Sequence, residues 1–193
     1  MLNFSIEKPL PISRNSQLLM ELDVDDNWVS QLKIDEHRSF ITLNNDTIEV
    51  VGWRGGSAVY KTKLKNDTGK KIVFDGGIIK TTIFKNKPML YVFDVLLING
   101  ERTSKTYDER FDFVIKNSVP EFTVPELITD PIEAFDDIKN KKSKYVERLS
   151  ISLKISLKEA YSIVEGLVLK NKKGVLRYPM NKCESPNQLK LRL

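Results

Sequence analysis

Ile163-Val164-Glu165-Gly166-Leu167-Val168-Leu169-Lys170 is a β-rich apolar run with a carboxylate near its entrance and a lysine at its exit. A strand of this kind buries apolar side chains on at least one face, so a Glu inside it needs a cation or donor as partner, or must sit solvated at the strand end. Four further blocks keep it company. Upstream stand Lys33-Ile34-Asp35-Glu36-His37-Arg38, Phe74-Asp75-Gly76-Gly77 and Tyr91-Val92-Phe93-Asp94, and Gln188-Leu189-Lys190-Leu191-Arg192 closes the chain.

Working outward from these blocks, the chain alternates as strands do. Trp28 to Ile34 places Val29, Gln31 and Lys33 on one face and Trp28, Leu32 and Ile34 on the other. Residues 38–43 and 47–53 read as a hairpin around the turn Asn44-Asn45-Asp46, followed by the loop Arg54-Gly55-Gly56. Residues 58–64, 71–79 and 81–84 read as further strands. Residues 89–98 are apolar on both faces except for Asp94, which predicts a central, doubly covered strand.

Helical signals come later. Tyr107 to Asn117 has apolar spacing at Phe111, Val114 and Ile115. Asp130-Pro131-Ile132-Glu133 is a helix start, and Ser156-Leu157-Lys158-Glu159 is a capping box. The strand from Val164 follows, with 175–178 pairing back and 188–193 as the last strand. Many antiparallel strands with a few inserted helices, and no linker or repeat, predict one α+β domain over residues 1–193.

Bulk composition narrows the classes. The chain has 193 residues, is 40% hydrophobic and 30% charged, and carries a net charge of +5, with a pI near 9.1. That suits a soluble globular protein and is compatible with a polyanionic partner. No apolar run approaches the roughly 20 residues of a membrane span, and residues 1–16 lack a signal-peptide core. Cys183 is the single cysteine, which leaves no internal disulfide and fits a reducing, cytoplasmic setting. One Cys and one His leave no soft-metal cluster, so any metal would be a hard cation on carboxylates and phosphates.

Lys33, Asp35 and Arg38 lie within six residues at a strand end. Such a trio is either an exposed strand end or a nucleophilic site, since a lysine attacks only when held deprotonated. The five blocks together resemble the ATP-dependent DNA ligases, within the covalent nucleotidyltransferases that include RNA ligases and mRNA-capping enzymes. The signature begins K-x-D-G-x-R, against Lys33 to Arg38 here. It continues with D-G-E (Asp75-Gly76-Gly77), an aromatic-Asp strand (Tyr91 to Asp94), E-G-[LIV]-V-x-K (Glu165 to Lys170, unchanged) and a basic pair (Lys190-Leu191-Arg192).

The resemblance implies a ligase-type nucleotidyltransferase fold, ATP-grasp-like, with antiparallel sheets and flanking helices. It implies ATP and Mg²⁺ as cofactors and nicked duplex DNA, or RNA, as partner, in DNA repair or replication. Lys33 is then the nucleophile that carries AMP. Arg38 is a ribose or phosphate contact, and Asp35 and Asp75 belong to the nucleotide site. Phe93 stacks on adenine, Glu165 holds the metal, and Lys170, Lys190 and Arg192 meet phosphates. Arg54 resembles an arginine that reaches the nick phosphate. Runner-up readings are an RNA ligase, a capping-type nucleotidyltransferase, or a ligase-like module that binds without turnover.

Two positions depart from the signature: Glu36 replaces its glycine, and Gly77 replaces its glutamate. Either Glu36 compensates for the missing carboxylate, or the site is weakened. DNA ligases also continue into an OB-fold domain, which is expected here as a separate domain or subunit. His37 reads as an exposed strand-end residue, Cys183 as a partly buried thiol, Trp28 and Trp53 as core or pocket wall. The lysines from Lys139 to Lys144 read as a solvated helix face that could also touch a phosphate backbone.

Overall fold

The structure, a computed structural model, describes residues 7–55, 57–65, 67–82, 87–179 and 183–193. Its strands are β1 (Lys8–Pro11), β2 (Trp28–Ile34), β3 (Glu36–Asn44), β4 (Thr47–Gly52), β5 (Ala58–Lys63), β6 (Lys71–Ile79), β7 (Leu90–Ile98), β8 (Glu101–Arg102), β9 (Phe122–Thr123), β10 (Val164–Asn171) and β11 (Glu184–Arg192). Its helices are α1 (Gln17–Asp23), α2 (Tyr107–Lys116), α3 (Pro131–Lys139), α4 (Lys144–Leu153) and α5 (Leu157–Ile163). The α+β class expected from the strand-and-helix order is the class observed.

The chain divides into two compact units. One, the inserted unit, is the continuous stretch Glu36–Val124; the other, the flanking unit, is built from residues 7–35 and Pro125–Leu193.

The inserted unit is a seven-stranded sheet in the order β5-β4-β3-β6-β7-β8, with β9 parallel to β7 and the other pairs antiparallel. One face carries Ile41, Leu43, Phe74, Ile78, Val92 and Val95, which are fully buried with Val114 of α2. Burying a side chain of this size contributes about 1.5–3 kcal/mol, so the face is fixed by its apolar alternation. The other face holds Glu36, Arg38 and Phe40 of β3 opposite Ile79, Gly77 and Asp75 of β6.

The flanking unit is a four-stranded sheet in the order β1-β11-β10-β2. All its pairs are antiparallel except β1 with β11. Leu32 and Ile34 of β2, Leu167 and Leu169 of β10, and Leu189 and Leu191 of β11 are buried. Register puts Leu32, Leu167 and Leu191 in one row on this face. Helix α3 packs on β10, α1 on α3, and α4 on α5. The Ser156 capping box is formed: Glu159 N–H donates to Ser156 Oγ at 3.2 Å, and Ser156 N–H donates to Glu159 Oε2 at 2.9 Å. Such a box satisfies two orphan donors of the first turn.

Three expectations are corrected. Residues 81–84 do not begin as a strand: Lys80–Thr82 is a 3₁₀ turn, and residues 83–84 lie outside the described residues. Thr82 fixes that turn by donating from its hydroxyl to Ile79 O at 2.8 Å and accepting from Met89 N–H at 3.0 Å. Residues 175–178 form no strand beyond a single bridge position at Val175; β11 instead starts at Glu184. In α2 the buried face is Tyr107, Arg110, Phe111 and Val114, and Ile115 is 54% exposed. The helix is rotated because Arg110 is turned inward to Asp94, with Nε–Oδ1 at 2.7 Å and Nη2–Oδ2 at 3.1 Å.

Candidate active site

Six of the ten candidate residues lie on the flanking unit, and their sheet explains how. Register places Lys33 opposite Gly166, Gln31 opposite Val168, and Val29 opposite Lys170. It also places Lys190 opposite Val168, Arg192 opposite Gly166 and Gln188 opposite Lys170. Directly paired residues share a face, so Lys33, Lys170, Lys190 and Arg192 all project from one side, opposite the leucine row.

Glu165 would point to the leucine side in a regular strand. The register between β10 and β2 shifts between Val164 and Gly166, and Gly166 has φ +134. Such a bulge re-aims side chains locally. Its effect is that Glu165 Oε2 accepts from Lys33 Nζ in an ion pair. A Cβ at Gly166 would collide with Leu191 O and stand 3.0 Å from Arg192 Cα. The glycine of the sequence run is therefore required both by φ and by the close approach of β11. The lysine side chain is 18% exposed and the glutamate side chain 35%. Lys170 is buried, Lys190 half-buried and Arg192 exposed. Asp35 ends β2, with its N–H donating to Ile163 O at 2.7 Å.

Gln31 was seen in the sequence only as a face-mate of Lys33. It is 2% exposed, and its amide nitrogen has no hydrogen-bond partner among the described residues. Leaving such a donor unmet costs about 1–3 kcal/mol, which makes it a candidate ligand contact. The strand alternation already carried that signal.

The other four candidates lie on the inserted unit. Arg38 donates to both oxygens of Asp75, from Nε to Oδ1 at 3.0 Å and from Nη2 to Oδ2 at 2.6 Å. Asp75 is nearly fully buried. Arg38 Cζ also stands 5.9 Å from the centroid of the Phe93 ring. Burial works to lower the Arg38 pKa, but the charge and hydrogen bonds of Asp75, then Glu36 and Asp94, outweigh it and the net shift is upward. The guanidinium is thus a permanent, oriented cation beside a half-buried aromatic ring. Such a pair suits a base stacked on the ring with its sugar or phosphate turned to the cation. Arg54 is exposed and lies over the Trp53 ring, with Cζ at 5.5 Å.

His37 and Cys183 are placed as expected. His37 is exposed, Cys183 is a half-buried free thiol, and Trp28 and Trp53 are half-buried. Lys139, Lys141, Lys142 and Lys144 are exposed, but they do not form the expected helix face: Lys139 ends α3, Lys144 opens α4, and Lys141 and Lys142 lie in the connection between them. Among the described residues no group of three or more His, Cys, Asp or Glu side chains could cage a metal. A hard cation such as Mg²⁺ takes one carboxylate plus substrate phosphates, and on this face Glu165 is a carboxylate that could hold one. Among the described residues no helix is long and apolar enough to cross a membrane.

No family model matches this chain, and no curated protein is similar to it in sequence. Solved structures are similar in fold. Mycobacterial DNA ligase D complexed with ATP and MES superposes with a TM-score of 0.60 at 13% identity, covering 98% of this chain and 60% of that one. The ligase domain of M. tuberculosis LigD gives a TM-score of 0.60 at 13% identity, covering 98% and 59%. A Lig E DNA ligase gives 0.50 at 15% identity, covering 97% and 70%. The chain therefore has the fold found in the ligase domains of ATP-dependent DNA ligases, and spans about three fifths of the two LigD chains it matches.

Proposed function

We propose that this protein is the adenylation domain of an ATP-dependent polynucleotide ligase acting on nicked duplex DNA. The observation that carries the reading is the meeting of Lys33 and Glu165, 132 residues apart in sequence, at a glycine bulge on a sheet face lined with further cations. The fold likeness to DNA ligase domains supports it. The ATP-grasp-like description of the fold belongs to the same reading.

In the proposed reaction Lys33 Nζ attacks the α-phosphorus of ATP. A P–N bond forms, the P–O bond to pyrophosphate breaks, and the amine proton is lost to solvent. The AMP then passes to the 5′-phosphate of the nick, freeing Lys33, and the 3′-hydroxyl displaces AMP as the phosphodiester closes. Phe93 stacks the base, a contact worth about 1–3 kcal/mol. Arg38, held by Asp75, meets the sugar or phosphate, and Asp35 belongs to the same site. Lys170, Lys190 and Arg192 stabilise charge on the phosphates, and Arg54 reaches the nick phosphate. Mg²⁺ on Glu165 and the triphosphate oxygens would offset charge building on the reacting phosphorus. An OB-fold domain or subunit closes over the nick, in a reducing intracellular compartment.

Intact mass after incubation with ATP and Mg²⁺ tests this. The protein should gain one AMP, stable to denaturation, and Lys33→Ala should gain none. An adduct with GTP instead would assign it to the capping-type enzymes. Wild-type protein that binds ATP yet never gains AMP would overturn the enzymatic reading in favour of a binding module.

A further inference from the structure

The two positions that depart from the ligase signature, Glu36 and Gly77, are neighbours in the structure. Glu36 opens β3 and Gly77 lies on the adjacent strand β6, where β3 residues Glu36 and Arg38 face β6 residues Ile79 and Gly77. A Cβ built on Gly77 would collide with Glu36 Cγ, stand 2.9 Å from Glu36 Cβ, and meet His37 O at 3.0 Å. The Glu36 side chain therefore lies across Gly77 and fills the space a side chain there would take. The space is closed on the backbone side by His37 O, so a larger residue 77 and the present Glu36 rotamer exclude each other.

The carboxylate so delivered lies on the face that also carries Arg38 and Asp75. Its charge helps raise the pKa of Arg38, after Asp75, and that of Tyr91, after burial. Both oxygens of Asp75 are engaged by Arg38, so Asp75 acts as the brace of the guanidinium. Glu36 is a second carboxylate on the same face, near enough for its charge to act on Arg38, whose guanidinium stands 5.9 Å from the Phe93 ring. A carboxylate sharing a face with a guanidinium that itself stands against an aromatic ring suits the vicinal hydroxyls of a nucleoside sugar, each of which donates one hydrogen bond.

We infer that Glu36 is the sugar-binding carboxylate of this protein, delivered from β3 across Gly77 of β6, and that it accepts hydrogen bonds from the 2′- and 3′-hydroxyls of the bound nucleoside triphosphate. The inference rests on the ligase reading of the same site. It makes Glu36 and Gly77 one exchanged pair: the carboxylate has moved from β6 to β3, and the glycine has moved the other way to make room.

Calorimetric titration with ATP and with 2′,3′-dideoxy-ATP tests it. Wild-type protein should prefer ATP by about tenfold or more, as expected for hydrogen bonds to a charged acceptor. Glu36→Gln, which keeps the shape, should lose most of that preference while binding dideoxy-ATP as before. The exchange Glu36→Gly with Gly77→Glu should restore it. Independently of any nucleotide, Gly77→Ala should lower the thermal midpoint in wild-type background and do so less in Glu36→Gly background. A Glu36→Gln protein with an unchanged ATP preference overturns the sugar role alone. A Gly77→Ala protein that melts like wild type overturns the exchanged pair. Wild-type protein that binds no ATP overturns this role together with the parent reading.

Discussion

Tyr91 and Tyr107 are phenols held away from the water that would stabilise their anions. Burial raises both pKa values well above the ordinary 10.0, with a smaller upward push from Glu36 on Tyr91 and from Asp94 on Tyr107, the latter opposed by Arg110. A group whose folded pKa is raised contributes nothing to pH dependence below its unfolded value. Above pH 10 only the unfolded chain can release the protons, so stability is lost as pH rises through that value. The expected outcome is an alkaline unfolding transition that moves to higher pH in Tyr91→Phe and Tyr107→Phe, followed by circular dichroism against pH. Phenolate absorbance from these two rings should appear only as the chain unfolds. Of the site residues, Lys33 and Glu165 could be read as individual candidates, because each stood in a recognisable block. That they touch could not be read, because it depends on the bulge at Gly166, which periodicity does not encode.

At the scale of elements, two features set the positions of the site strands. The first is the bulge. Gly166 has φ +134 and lies against Leu191 O, so Gly166→Ala meets both backbone strain and a backbone clash. The expected loss is about 2–4 kcal/mol in chemical denaturation, with loss of the AMP adduct at temperatures where the variant is still folded. The second is the buried pair Asp94–Arg110, both side chains 2% exposed, which ties β7 to α2. Removing one partner strands the other charge: Arg110→Ala should cost about 3–5 kcal/mol, whereas Asp94→Leu with Arg110→Met should recover most of it. Denaturant midpoints of the two variants against wild type check this.

Strands with clear alternation, such as β2 and β10, were legible to within a residue or two, because one face of each is apolar. The reading failed where tertiary partners decide. Thr82 closes a turn with its hydroxyl instead of continuing a strand. Arg110 turns α2 by pairing with Asp94. Helix α1 shows only a short apolar patch, although Ser16 caps it by accepting from Leu19 N–H at 3.1 Å. Helix α4 hides behind a lysine run whose solvated side says nothing of buried Val146, Leu149 and Leu153.

For the molecule as a whole, each unit has its own apolar core, and the inserted unit is one unbroken stretch of chain. Glu36–Val124 expressed by itself should melt cooperatively and keep the high-pH transition of Tyr91 and Tyr107. A non-cooperative melt of that fragment would show that its core needs the rest of the chain. No composition shift marks either junction in the sequence: Asp35-Glu36 and Val124-Pro125 look like ordinary strand ends and turns. Four of the candidate residues lie within this stretch and six outside it.

The four-stranded sheet runs β1-β11-β10-β2, so a strand late in the chain lies between a much earlier one and its immediate predecessor. While the ribosome is still working, β1 has nothing to pair with, and the polypeptide between Asp35 and Pro125 has everything it needs. Birth order should therefore decouple the two units: the loop-out matures early, and the sheet that carries Lys33 waits for the nine-residue β11 to slide in. Stalling translation just upstream of Glu184 would leave a nascent chain with a protease-resistant middle and digestible flanks.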